Sequence, residues 1–363
     1  MSCRPLACCL GIDNHAHPSQ LLASGEKDAD ADALPPDAIS DLALPTPMLE
    51  GSPLLPEAWR AMFQLKASGA MSQTQSDALH RKREHLQKSK GDGYPAWVLN
   101  QTDTVVMLAN GVAMGRGLTG DRFKWVPFVD MFLFPLQNKW YKSRDPEHAA
   151  FFNREEALLS RYLQGSGNRR LPQTFDDYLT FVSHQLESWK ASGAVALKFE
   201  LAYLRDLKIG DPTRESADRV YAIYSQSSEP TADEYRILQD YLFRSISTEA
   251  GRLCLSIHIH GSLGAGSCFV SSNANPLELE GISNDPALRR TKFVLLHGAW
   301  PFAKEAAMLI LKPNVYLDIS ALYFLTYPAQ ASKALRLYLE SAPEKVLYSH
   351  MALHDNAHGL YGF

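Results

Sequence analysis

Only five of the 363 residues are cysteines, Cys3, Cys8, Cys9, Cys254 and Cys268, and none stands in a CxxC pair. A disulfide framework needs an even set at regular spacing. This odd, sparse set excludes one and points to a reducing, cytoplasmic setting. Basic residues are not in excess: 36 Lys and Arg face 40 Asp and Glu, a net charge of −4. That excludes the strongly basic face that binding a nucleic acid requires. No apolar run reaches the ~20 residues that a bilayer-spanning helix needs, so no membrane partner is expected. The opening stretch MSCRPLACCLGID runs into a strand-like segment without a polar cleavage region. It reads as a first strand and not as a signal peptide. GxSxG, Walker A and Rossmann glycine patterns are missing from the settings that give them meaning, and no internal repeat occurs. Asp28, Asp30 and Asp32 imitate the start of a calcium loop. Ala33 and Ile39 then replace the required glycine and glutamate, which rules that loop out.

What the chain does have is apolar content: 45% apolar against 21% charged residues, enough for a sizeable core. Short apolar strands alternate with longer helical stretches, as in parallel βα units. Strands are expected over 6–14, 104–110, 124–132, 194–203, 253–261, 292–298, 314–320 and 345–349. Eight strands are enough to close a barrel. Helices are expected over 174–192, 231–252, 302–311 and 328–340, from apolar residues at three- and four-residue spacing. The run 80–85, HRKREH, reads as a solvated helix face. The expected fold is α/β, one (β/α)8 TIM-type barrel domain over 1–363. Residues 19–57 form a long loop excursion after the first strand, and 349–363 form an irregular tail too short for a closing helix.

The residues able to carry chemistry sit at expected strand ends. Asp13-Asn-His15-Ala-His17-Pro18 places two imidazoles on one face of a strand, since side chains alternate with period two. Imidazoles suit zinc and similar divalent ions; two ordinary core or surface histidines are the alternative. Ser256-Ile-His258-Ile-His260 repeats the pattern. His260 is taken as the ligand because it lies nearer the strand's C-terminal end, and His258 as a residue hydrogen-bonded to a neighbour. His297 ends the 292–297 strand and is either functional or structural. Lys198, inside an apolar strand, is costly to bury unless paired or modified. It is either a carbamylated metal ligand, a carboxylate-binding group or half of a Lys198–Glu200 ion pair. Tyr203 and Arg205 follow it, either to contact an anionic substrate or to lie on the surface.

The stretches IDNHAHP, ALKFELAYLRDL, HIHGSLGAG, KFVLLHGAWPFAKEAAML and NVYLDIS span most of the chain. In that order they resemble the amidohydrolase superfamily. The wording is closest to the branch that includes aminocarboxymuconate-semialdehyde decarboxylase and the hydrolase-like domain fused to glutamine synthetase homologues. The resemblance implies a metal-bearing (β/α)8 barrel. His15, His17, His260 and Lys198 then match metal ligands, and His297 matches the strand-six histidine. It implies a divalent cofactor, zinc in the first place with manganese as the alternative, and a small-molecule substrate. The implied reaction is hydrolysis of an amide, ester or lactone by a metal-activated water, with His297 helping to stabilise the oxyanion. A decarboxylase or hydratase is the alternative. One position departs: Met351 stands where the family has a strand-eight Asp, and Asp355 is the nearest carboxylate to act as base. With the short tail, this reads as a chain truncated after strand eight, inactive in the limiting case, or as a divergent member. Homo-oligomerisation stays open.

Overall fold

Among the described residues eight short strands, all parallel where they pair, form the centre of the chain: β1 (Gly11–Ala16), β2 (Thr104–Asn110), β3 (Phe123–Val126), β4 (Ala196–Phe199), β5 (Ser256–His260), β6 (Phe293–Leu296), β7 (Val315–Asp318) and β8 (Val346–Leu347). The computed structural model describes residues 11–18, 54–64, 72–144, 146–226, 228–264, 269–347 and 360–361. The strands run in sequence order as β1-β2-β3 and β4-β5-β6-β7-β8. Isolated parallel bridges, Trp125 to Ala194 and Phe128 to Lys198, join the two sets. The architecture is α/β, a (β/α)8 barrel with helices outside.

Period two decides which side chains enter the barrel. Val294 and Leu296 of β6 point inward and pack with Ile12, Leu108, Val126, Ala196 and Leu347. Their neighbours Phe293 and Leu295 point outward, joining Leu197, Ile257, Ile259 and Leu317 against the helices. His258, His260, Lys198 and Asp318 share the inward parity, so β4, β5 and β7 bury an apolar stripe outside and carry polar chemistry inside, whereas β6 is apolar on both faces.

The outer helices follow their local signals. Helix Phe175–Ala191 starts at Thr174, whose hydroxyl accepts the Asp177 N–H, and has Asp176 and Asp177 in its first turn. Helix Ala232–Arg252 opens with a Thr231/Glu234 capping box. Both bury one apolar stripe against the sheet. The other two expected helices are Ala303–Leu309 and Pro328–Ser341. The 80–85 run lies on helix Gln73–Lys90, mostly exposed. No helix among the described residues is long and apolar enough to cross a membrane.

Several boundaries differ from expectation. The third strand does not reach 132: it stops at Val126, and Asp130–Leu133 form a 3-10 turn. Pro127 has no N–H to give to a ladder, and the turn is buried because helices cover it. The fourth strand stops at Phe199, and Leu201–Leu204 turn helical, so Tyr203 is not a strand residue. His297 does not end β6; it opens a turn with left-handed backbone. Leu360 and Tyr361, placed in the irregular tail, are helical. Leu360 is buried against the barrel's inner apolar residues. Of the 19–57 excursion only the end is described, as the start of helix Leu54–Phe63. Residues 1–10, Met351 and Asp355 lie outside the described residues.

Candidate active site

The C-terminal ends of β1, β5 and β6 bring four histidines into a row. Ring centres are 5.0 Å apart for His17 and His15, 5.0 Å for His15 and His297, and 5.1 Å for His297 and His260. His258 lies one layer down, 6.4 Å from His15. His17 is exposed at the mouth; His15, His258 and His260 are buried. Tyr203 lies against the His260 ring at 4.7 Å, with Phe269 at its side. Phe128 flanks His17.

Hydrogen-bond partners fix where the ring protons sit. His297 Nδ1 faces the Ser320 carbonyl at 3.1 Å, and a carbonyl only accepts. Nδ1 therefore carries the proton and Nε2 keeps a bare lone pair. His260 Nε2 donates to the Ser262 carbonyl at 3.1 Å, which leaves its Nδ1 bare. Both ring nitrogens of His15 are buried without a partner among the described residues. Burial, and after it the charge of Lys198, holds His258 and His297 down to about 3, and His15 and His260 well below the usual imidazole range. All four are neutral at pH 7. His297 Nε2 is then an acceptor, and the oxyanion-donor role expected of it does not fit this tautomer.

Lys198 pairs in register with His258 and points into the barrel. Burial brings its ammonium down to about 8, against the pull of Glu200, Asp130 and Asp318. The Lys198–Glu200 ion pair is not formed. Glu200 Oε2 instead receives Arg154 Nη2 at 2.8 Å, and the same guanidinium binds Glu155. Asp130 Oδ2 accepts the Glu200 N–H at 2.8 Å. Burial raises Asp130 and Glu155; it would raise Glu200 too, but Arg154 and then Lys198 outweigh it. Arg205 is placed elsewhere: its guanidinium binds Asp240, Gln239 and the Lys208 carbonyl, none of which belongs to the histidine group. That buried pairing gives it a structural role in place of the expected substrate contact.

Asp318 was not singled out from the sequence. It ends β7 beside His297, and one of its oxygens is buried without a partner among the described residues. Burial pushes it up to about 6. Asp13 goes up to about 7 through burial and the charge of Asp318. The signal was present, a carboxylate closing an apolar strand as histidines close its neighbours. Asp130 and the adjacent pair Arg154 and Glu155 gave none, since both lie far in sequence from Glu200.

The donor set suits a divalent cation: neutral imidazoles, two with the second nitrogen tied to a backbone carbonyl, as metal-binding histidines have. Two imidazoles on one zinc ion at ~2.1 Å hold their ring centres about 5 Å apart, the spacing found here. Among the described residues, no three His, Cys, Asp or Glu side chains are already gathered at metal-ligating positions. The row offers paired donors and not a finished cage.

The sequence matches no protein-family model, and no curated relative matches it. The fold has relatives among solved structures. A candidate metal-dependent hydrolase of Lactobacillus casei ATCC 334 superposes with a TM-score of 0.59 at 16% identity, over 98% of this chain and 86% of its own. Uronate isomerase of Thermotoga maritima gives 0.56 at 11% identity, over 84% of this chain and 68% of its own. Glucuronate isomerase of Caulobacter crescentus gives 0.54 at 12%, over 80% and 62%. At such identities the likeness establishes the fold these enzymes share with this chain, and nothing narrower.

Proposed function

We propose that the chain is a metal-dependent hydrolase acting on a carbonyl: an amide, ester or lactone of a small molecule. The observation that supports this is the His17–His15–His297–His260 row, spaced about 5 Å apart as imidazoles sharing an ion are, with His15, His297 and His260 neutral. His15, His17, His260 and His297 would hold the cation, with Lys198 beside them. A bound divalent ion supplies Lewis acidity and lowers the pKa of water toward ~7. The chain's own part is to present bare lone pairs at His297 Nε2 and His260 Nδ1. Lys198 holds positive charge where negative charge develops. Tyr203 and Phe269 wall the His260 side against water.

Proton transfer without hydrolysis, as in a decarboxylase or isomerase, is the second reading. Lys198, held at about 8, favours it, since such a group gives and takes protons near neutral pH.

The test is zinc or manganese titration of the full chain, followed by melting and by a panel of esters, amides and lactones. An ion at 100 times its Kd should add about 2.7 kcal/mol. His15→Ala with His297→Ala should remove the gain. No shift in melting temperature with either metal would sink the reading; metal binding with decarboxylation but no hydrolysis would select the second.

A further inference from the structure

Two residues without glycine's freedom face each other across the β6 and β7 ends in left-handed backbone, His297 at φ 63° and Ala321 at φ 57°. A side chain with a Cβ avoids that region unless its surroundings impose it. Asp318 lies between the two turns. Its Oδ1 receives the Ser320 N–H at 3.0 Å and the Ser320 hydroxyl. One carboxylate thus holds the Ser320 turn against His297. The grip sets the Ser320 carbonyl 3.1 Å and the Ser320 hydroxyl oxygen 3.2 Å from His297 Nδ1.

The proton count then follows. The Ser320 hydroxyl has one hydrogen, and it goes to Asp318. Its oxygen can only accept from His297, as the carbonyl does. Nδ1 is the sole donor in the group, so Nε2 stays bare. Take Asp318 away and the hydroxyl is free to turn and donate to Nδ1, which admits the other tautomer. The turn that carries Ser320 also loses its tie to His297.

We infer that Asp318 and Ser320 are a positioning pair that holds His297 in the tautomer able to bind a cation through Nε2. The inference deepens the metal-dependent reading and rests on it for the purpose of the tautomer, though not for its existence. Its test uses the full chain, first without metal. Imidazole nitrogen shifts in a long-range 1H–15N spectrum should show His297 in the Nδ1–H form alone. Asp318→Leu should give a mixture of tautomers. Asp318→Asn, which keeps an accepting oxygen, should restore the single form. Zinc titration should then show a 10- to 100-fold weaker Kd for Asp318→Leu. Adding Ser320→Ala to Asp318→Leu, which deletes the hydroxyl that could donate to Nδ1 and keeps the accepting carbonyl, should return the single form. Should Asp318→Leu fail to fold, Asp318→Ala decides by the same two readouts. A single Nδ1–H tautomer and a zinc Kd within threefold of wild type in the apolar Asp318 variant that folds would overturn the pair. Zinc binding absent from the wild type would remove the metal reading, while the tautomer result still decides the inference.

Discussion

Arg154→Met probes the buried charge network that anchors the end of β4. Arg154 is 7% exposed and is shared by Glu155 and Glu200, themselves 1% and 6% exposed. Removing the cation leaves two carboxylates and Asp130 in an interior that cannot solvate them. Breaking a buried pair from one side costs about 3–5 kcal/mol. Unfolding entropy is about 2.1 cal/mol/K per residue, or roughly 0.76 kcal/mol/K over 363 residues. The melting temperature should therefore fall by about 4–7 °C. The deficit should also depend on pH. In the wild type Glu200 is held below its ordinary value, so it contributes stability that is lost as pH falls through its folded pKa. Without Arg154, burial dominates and raises Glu200 as it already raises Glu155. Raised carboxylates destabilise at high pH and are relieved on protonation. The gap between variant and wild type should be largest near pH 8 and shrink toward pH 5. Scanning calorimetry or circular dichroism at both pH values measures it. A fall below about 1 °C, or an equal fall at both pH values, would refute the reasoning.

Lys198→Met should act in the opposite sense. A lysine lowered from 10.5 to about 8 carries its burial penalty in full below pH 8 and sheds it as pH rises to 10.5. The variant should gain about 3 kcal/mol at pH 7, an advantage that disappears by pH 10.5; equal stability at pH 7 would contradict the buried charge. Tyr361→Phe removes the hydroxyl that meets His258 Nε2 at 2.7 Å. It should cost about 1–3 kcal/mol and move the His258 ring resonances, and a variant unchanged in both would show that the bond is not made.

The parts that sequence made legible are those in which local signals agree with the fold. Thr174 and Thr231 cap their helices where polar residues precede an apolar period. The β5 and β6 strands follow from apolar runs ended by histidine. The expected third strand runs past its true end because 128–134 is rich in apolar residues that are buried for another reason, as a turn beneath helices. The left-handed turn at His297–Ala299 had no local signal, since only Gly298 favours it and tertiary contacts impose the rest. Histidine positions were visible as motifs, whereas their ring protons depend on Ser262 and Ser320 carbonyls that spacing cannot reveal. The Arg154 network is long-range: Glu200 is 46 residues from Arg154 and 70 from Asp130.

The join between β3 and β4 has a mechanical consequence. Among the described residues the two sheets meet there through isolated bridges and hydrogen bonds such as Val195 N to Trp125 O. His15 and His17 ride on one sheet, while Lys198, His260 and His297 ride on the other. A seam with few ladder bonds breathes more readily than the sheets it joins. An ion gripped from both sides would act as a staple across that seam. Part of its binding energy would go into closing the wall, and any strain that parts the sheets would loosen the ion in equal measure.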